Sequence, residues 1–390
     1  MKKNRKHRSI IHVLGMCVFN CLFRCRKIQK NKIFFLNFSN EYDCNPKYIC
    51  EEFLKQKLDY ELVFATKKGA KIDGIFPKNV KIVYKGTPGF YKEIYSSKVI
   101  IENDVRLAFL GFHKKKGQIV FETWHGSLGI KAFGRAANND PLWQKMADKS
   151  AAMTDYIISN STFENRIYKE TFWANNEILL YGHARNDVLY VNEKARKSIK
   201  EKVCKFYDLD ANNKLCLFAP TFRDDNNTDV YQLDYEKLIE TLEAKFGGKW
   251  TVLFRLHHLT NETLEDKKIS KDVVDVSDYP DIQEIVAVID CGITDYSSWI
   301  CEYVLRKKPG FIYASDLEKY RKDERPLTVK LDDLPFPLAQ NSDELFKAIL
   351  NFDESKYMEK CDKFLKLQGS VDDGRAADRV VKKIEELLNK

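Results

Sequence analysis

The stretch Asp290-Cys-Gly-Ile-Thr-Asp-Tyr-Ser-Ser-Trp299 decides the fold. Ahead of it, the apolar run Ile285–Ile289 reads as a buried strand with its lead-in. Thr294–Ser298 is a polar turn, and Trp299–Leu305 reads as the first turns of a helix. A strand that ends in a small polar turn and enters a helix presents free backbone N–H groups. Together with the helix dipole, these seat a phosphate. Ser297 and Ser298 add short hydroxyls that also cap helices, so a capped turn without a ligand is the plain alternative.

Outward from this unit, strand and helix patterns alternate. Strand-like runs are 32–38, 60–65, 80–83, 98–102, 118–121, 156–159 and 178–181, with a helix at 46–57. Residues 192–202 read as a helix or linker. A second set follows, with strands at 215–219, 250–256, 273–276, 288–289 and 311–313 and a helix at 235–246. Helices at 342–351, 356–368 and 374–388 close the chain. Such alternation implies parallel sheets covered on both faces, and two sets imply two doubly wound, Rossmann-like α/β domains. At 390 residues each domain has enough chain for its own core. The expected division is an arm at 1–31, a first domain at 32–191 and a second at 192–390. Ligands of such sheets bind beyond the carboxyl ends of the strands. His125, Arg223, His257 and Ser297 all follow strand-like runs, which points to one cleft between the two domains. Neither a Gly-x-Gly-x-x-Gly fingerprint nor a Walker loop is present, which lowers the dehydrogenase and P-loop kinase readings.

The net charge of +8 is concentrated at the start. Residues 1–32 hold ten Lys and Arg and no acid, leaving the remainder at −2. A broad nucleic-acid-binding face needs basic residues spread over the folded surface, so nucleic acid is not an expected partner. Ser9–Phe23 carries no formal charge but is shorter than the roughly 20 residues that span a bilayer. Basic clusters flank it, which fits an amphipathic segment lying on an anionic membrane surface; a disordered or core-packed arm is the alternative. Cys17, Cys21 and Cys25 would share one helical face. The ten cysteines include no Cys-x-x-Cys pair and no zinc-like spacing, consistent with a reducing compartment.

Six motifs in order extend the reading: Trp124-His-Gly126, Tyr181-Gly-His-Ala-Arg-Asn-Asp187, Ala219-Pro-Thr-Phe-Arg-Asp224, Arg255-Leu-His257, the Thr294-Asp-Tyr-Ser-Ser298 turn with its downstream Tyr313–Arg321 run, and Asp372-Asp-Gly-Arg-Ala-Ala-Asp-Arg-Val380. Together they resemble the CDP-glycerol glycerophosphotransferase family of bacterial teichoic-acid and capsule synthesis. The resemblance implies a GT-B arrangement and peripheral attachment at the cytoplasmic face of the membrane. It also implies transfer of glycerol phosphate from CDP-glycerol to a hydroxyl of a lipid-linked or glycan acceptor, releasing CMP. A CDP-ribitol-dependent transferase, a GT-B glycosyltransferase using a nucleotide sugar, and a non-catalytic scaffold of the same fold are the alternatives. Homo-oligomerisation is left open.

His125 is the expected base, since imidazole titrates in the range needed to take a hydroxyl proton. By itself the residue is equally consistent with a structural histidine; the family's proposed base is the His of Trp-His-Gly. The chain departs from the family where Thr-Pro-Leu-Lys is usual: it has Ser127-Leu-Gly-Ile-Lys131, and Lys131 takes the place of the expected acceptor-side Lys. His257 is the second catalytic candidate, and Arg223 and Arg255 are expected on the donor diphosphate, where a guanidinium fork suits phosphate oxygens. For Arg223 a surface ion pair with Asp224 or Asp225 is the alternative. His258 points the other way if the strand continues. Thr294, Ser297 and Ser298 complete the phosphate seat, with Arg321 and Arg325 closing over it, although Arg325-Pro-Leu-Thr replaces the family's Arg-Gly-aromatic pattern. Asp295 serves either the helix start or a donor hydroxyl. Arg185 and Asp187 are expected to brace an interdomain turn. No carboxylate cluster has metal-ligand spacing, so no cofactor is expected and turnover should survive a chelator.

Overall fold

The computed structural model describes residues 18–389, apart from 71, 73, 128, 131, 133, 138, 139, 222, 224–232, 257–272 and 324–326. Lys131, His257, His258 and Arg325 lie outside the described residues, as does the arm up to residue 17.

The first sheet has seven strands: β1 (Gln29–Leu36), β2 (Glu61–Thr66), β3 (Lys81–Tyr84), β4 (Ser97–Glu102), β5 (Ile119–Glu122), β6 (Tyr156–Ser159) and β7 (Glu177–Leu180). Their order is β3-β2-β1-β4-β5-β6-β7, and all neighbouring pairs are parallel. Both faces are covered. Ile33 and Phe35 pack in one core with Ile49 and Phe53 of α1 (Cys44–Lys55). Phe34 and Leu36 point oppositely, toward Phe90, Tyr91 and Ile94 of α2 (Pro88–Ser96). This two-sided burial is why the strands read as apolar runs rather than as an alternation. Helices α3 (Pro141–Ala151) and α4 (Thr162–Thr171) complete the layer. The sequence reading did not assign α2, α3 or α4. All three start at side-chain caps, on Thr87, Asp140 and Ser161.

Helix α5 (Glu193–Phe206) leads into the second domain, resolving the helix-or-linker alternative as a helix. Its sheet contains β8 (Lys214–Phe218), β9 (Trp250–Phe254), β10 (Val273–Asp275), β11 (Cys291–Thr294), β12 (Gly310–Tyr313) and β13 (Leu338–Ala339), in the order β10-β9-β8-β11-β12-β13. The helices are α6 (Tyr235–Phe246), α7 (Ile282–Val288), α8 (Trp299–Tyr303), α9 (Leu317–Asp323), α10 (Ser342–Leu350), α11 (Glu354–Gln368) and α12 (Ala376–Leu388).

Three expectations need correction. Residues 285–289 are not a strand: Ile282–Val288 is α7, capped by the Asp281 side chain accepting from Gln283 N at 3.0 Å, and the strand is β11, a few residues later. Residues 283–288 of α7 are all buried, so no polar face marks a helical period. The chain also returns to its beginning. Val380, Val381 and Ile384 of α12 pack in the first core beside Ile33 and Phe53, so the last helix sits on the first domain rather than the second. Asp187 anchors this return by accepting from the Ala376 and Ala377 amides at 2.9 and 2.8 Å, at the start of α12. Finally, β1 begins at Gln29, so the arm's expected boundary falls inside a strand.

Each sheet reverses strand order once, between β1 and β4 in the first and between β8 and β11 in the second. Loops leave the two sides of these switch points in opposite directions, which opens a crevice at the carboxyl ends.

Candidate active site

The first wall of the crevice is the turn after β5. Trp124 takes a left-handed conformation, φ 51°. For a residue with a bulky side chain this costs about 1–3 kcal/mol and persists only where the surroundings impose it. Here they do. Glu122 Oε1 accepts from the Trp124 amide at 2.8 Å. Asn45 Nδ2 donates to the carbonyls of Thr123 and Trp124 at 2.9 and 3.0 Å. The indole meets Trp173 edge-on at 5.9 Å.

This turn presents His125. Its Nδ1 lies 2.7 Å from the Asn103 carbonyl at the end of β4. A carbonyl can only accept, so Nδ1 carries the proton and Nε2 keeps its lone pair in the neutral ring. Phe38 stacks on the imidazole at 4.4 Å, and Trp124 lies against it at 4.4 Å. Asp104 Oδ1 is 3.9 Å from Nδ1, too far to bond. Burial lowers the pKa of His125 below the ordinary histidine value, with Asp104 and the Asn103 carbonyl opposing. The ring is therefore neutral at neutral pH, as a base must be.

Trp124, His125, Gly126, Phe163, Glu164, Ser298 and Thr328 line a cleft of about 140 Å³. Ser298 and Thr328 come from the second domain. Thr328 closes the far end, with its amide donating to the Ile130 carbonyl at 2.8 Å. Of the expected phosphate-seat residues, Ser297 and Ser298 are half-exposed, and neither hydroxyl has a recorded hydrogen bond among the described residues. Ser298 precedes α8 without capping it through its side chain.

Arg223, Thr294 and Asp295 lie beneath the site rather than in it. Thr294 is fully buried and donates to the Ala219 carbonyl at 2.7 Å. Asp295 is 2 % exposed and accepts from the Thr221 amide at 2.8 Å and from Arg223 Nη2 at 2.8 Å. Arg223, also 2 % exposed, forks onto Asp316 at 2.7 and 3.0 Å and packs on Tyr296 and Tyr320. Its pKa is raised, with the two carboxylates outweighing burial. The expected partner was a phosphate, with Asp224 or Asp225 as the alternative. The observed partner, Asp316, is 93 residues away and comes into reach only through the fold. Arg321 is exposed on α9 and pairs with Glu318 at 3.2 Å.

Arg255 contrasts with Arg223. Its Nη1 donates to the carbonyls of Val276 and Tyr279 at 2.5 and 3.1 Å, and no carboxylate bonds it among the described residues. Burial pushes its pKa down. A partly buried guanidinium with no carboxylate bonded to it among the described residues is suited to a bound anion.

The Tyr181–Asp187 motif, the hinge where the chain passes from the first sheet toward the second, holds the halves together. Arg185 donates through Nε and Nη2 to Glu302 of α8 at 3.1 and 2.7 Å, and through Nη1 to the His125 carbonyl at 2.6 Å. His183 is buried and bonds both oxygens of Glu164 through Nε2 at 3.0 and 2.9 Å. Burial opposes its charge, yet Glu164 holds its pKa above the ordinary value. Asp372 Oδ1 accepts from the His183 amide at 2.8 Å, while Oδ2 accepts from Asn160 and Asn186 at 2.7 and 3.0 Å. Sequence reasoning missed Glu302, Glu164 and Asn45. Glu302 left one signal, as the only acid in the apolar run 299–305. Glu164 left another, three residues after Ser161 in capping-box spacing.

Similarity to known proteins identifies the family. Residues 18–386 match the CDP-glycerol:poly(glycerophosphate) glycerophosphotransferase family. The chain is 28% identical to a teichoic acid poly(glycerol phosphate) polymerase of Staphylococcus epidermidis, over 90% of this chain but only 50% of that protein, so it spans about half that relative's length. It is also 28% identical to a teichoic acid glycerol-phosphate transferase of Staphylococcus aureus, over 91% of this chain and 93% of the relative. A histidine-to-asparagine variant of the wall teichoic acid polymerase TagF, soaked with CDPG, superposes with a TM-score of 0.82 at 26% identity, covering 100% of this chain and 99% of that one. The chain belongs to the CDP-glycerol:poly(glycerophosphate) glycerophosphotransferase family.

Proposed function

We propose that the protein transfers glycerol phosphate from CDP-glycerol to a hydroxyl of a lipid-linked or glycan acceptor in teichoic acid or capsule synthesis. The observation that carries this reading is the imidazole of His125, neutral, with Nδ1 tied to a carbonyl and Nε2, beside the cleft, without a hydrogen bond among the described residues. Nε2 takes the acceptor hydroxyl proton. The oxygen attacks the phosphorus bearing the glycerol, the bond from that phosphorus to the CMP oxygen breaks, and CMP leaves. Arg255 and the hydroxyls of Ser297 and Ser298 stabilise the transferring and leaving phosphates. His257, Lys131 and Arg325 are further candidates for donor and acceptor contacts. The first domain receives the acceptor and the second the CDP donor.

The test is CMP release with CDP-glycerol, CDP-ribitol and UDP-glucose in parallel, with membrane extract as acceptor. Release from CDP-glycerol alone is the expected result. Release from CDP-ribitol alone would change the donor, and turnover of only the nucleotide sugar would overturn the reaction class. Arg255→Met should raise the donor KM about tenfold or more, the loss expected for a charge-assisted phosphate contact. An unchanged KM would remove Arg255 from the site.

Membrane attachment through residues 1–31 is part of the same proposal. Among the described residues no helix is long and apolar enough to cross a membrane. At the end of the arm, residues 18–23 are helical. Phe19 and Phe23 pack on the first domain, while Val18 and Leu22 are 59% and 60% exposed beside Arg24, Arg26 and Lys27. Binding to phosphatidylglycerol vesicles, weakened by salt and lost on deleting residues 1–17, is the expected outcome. Equal binding to neutral vesicles would contradict it.

A further inference from the structure

Two glutamates lie side by side under the His125 turn. Glu102 ends β4 and Glu122 ends β5, and they are direct partners in the parallel register. Both are 0% exposed. Glu122 divides its oxygens between two loops: Oε1 accepts from the Trp124 amide at 2.8 Å, and Oε2 from the Val105 amide at 3.0 Å. Glu102 Oε2 accepts from the Arg106 amide at 2.8 Å, while Oε1 has no hydrogen-bond partner among the described residues. No Lys, Arg or His bonds either carboxylate among the described residues. The charged groups around them are Asp104, Arg106 and Lys85, and Asp104 adds to the repulsion.

Two buried carboxylates on adjacent strands, with no cation bonded to either among the described residues, cannot both ionise at an acceptable cost. The bonding says which one stays charged. Glu122 accepts two N–H donors, which favours the anion. Glu102 accepts one and leaves an oxygen bare, which a neutral acid tolerates better. Burial pushes Glu122 up to about 8, and burial together with Glu122 holds Glu102 well above the ordinary carboxylate value, so the singly protonated pair is the form present above about pH 8.

The backbone points that this pair holds are those from which His125 hangs. One is Trp124, in its left-handed conformation. The other is the 103–107 loop, whose Asn103 carbonyl fixes His125 Nδ1. We propose that Glu102 and Glu122 share a single proton, carried by Glu102, and that the pair is the positioning unit for the imidazole of His125. The positioning half of this inference rests on the assignment of His125 as the base; the shared proton does not.

The experiment combines kinetics with infrared spectroscopy of the full chain. Glu122→Gln places an amide NH2 against one of two N–H donors. It should lower kcat about 10–100-fold, the scale of a small displacement of a reacting group, with the donor KM held. Glu102→Ala should also lower kcat, and Glu102→Gln, isosteric with the neutral acid, should restore most of it. Above about pH 8, where Glu122 is ionised, the wild type should show a protonated-carboxyl stretch that Glu102→Gln removes. Absence of that band, or Glu102→Gln as damaging as Glu102→Ala, overturns the proposal. If Glu122→Gln does not fold, the band and the Ala/Gln pair at Glu102 still decide. If His125→Ala keeps its activity, the base assignment fails while the band still reports on the proton.

Discussion

Replacing His125 by Ala lowers the rate of CMP release from CDP-glycerol by about 10²–10⁴-fold, the contribution typical of a general base. The fold survives, because the contact that ties this turn to the hinge is made by the backbone: Arg185 Nη1 bonds the His125 carbonyl, not the ring. An unchanged melting temperature alongside lost turnover would therefore separate a catalytic from a structural histidine. The pH dependence adds a second reading. Burial disfavours the imidazolium, so the pKa lies below the ordinary value of about 6.5. The rate of the wild type should rise with pH through a midpoint below that value and be flat at neutrality. The same shift acts on stability. The unfolded chain binds the proton more readily than the fold does. The stabilising contribution is thus present above the unfolded pKa and lost as pH falls toward the folded one. A rate midpoint at or above the ordinary histidine value would contradict the assignment.

The largest effect on stability is expected at Glu302. Its side chain is fully buried, and it is the carboxylate partner of Arg185 across the domain boundary. Glu302→Ala leaves a guanidinium in the interior with, among the described residues, only the His125 carbonyl and the Cys44 sulfur as acceptors. Removing one member of a buried pair costs about 3–5 kcal/mol, because the remaining charge cannot be resolvated. That is a large share of the roughly 5–15 kcal/mol that holds a domain folded. Urea denaturation should show the loss, and turnover should fall with it, since Arg185 also holds the His125 turn. The double variant Arg185→Met/Glu302→Leu should recover most of the stability. Additive losses in the two single variants and the double variant would mean that the ion pair carries no coupling.

The element pattern was largely legible. The helix at 235–246 and the strand at 156–159 were read with the boundaries they have, because a half-buried helix leaves a clear period and a parallel strand a short apolar run. Residues 285–289 misled because α7 is buried all round and carries no period to read. The pairing of α12 with the first sheet was not legible, since the last helix is equally amphipathic wherever it docks.

The sequence by itself determined the two doubly wound domains, the crevice at their strand ends and the family, because local periodicity and ordered motifs are properties of contiguous residues. It also brought His125 and the Ser297–Ser298 turn to that crevice. The tertiary structure alone decided which polar side chains stay open to a ligand and which are used up in holding the frame. Arg223 and Arg255 look alike in sequence. One meets Asp316 from 93 residues away, and the other meets only backbone carbonyls among the described residues. Whether a charge finds its counter-ion within the protein depends on distances of a few ångströms between segments far apart in the chain, and no local pattern encodes them.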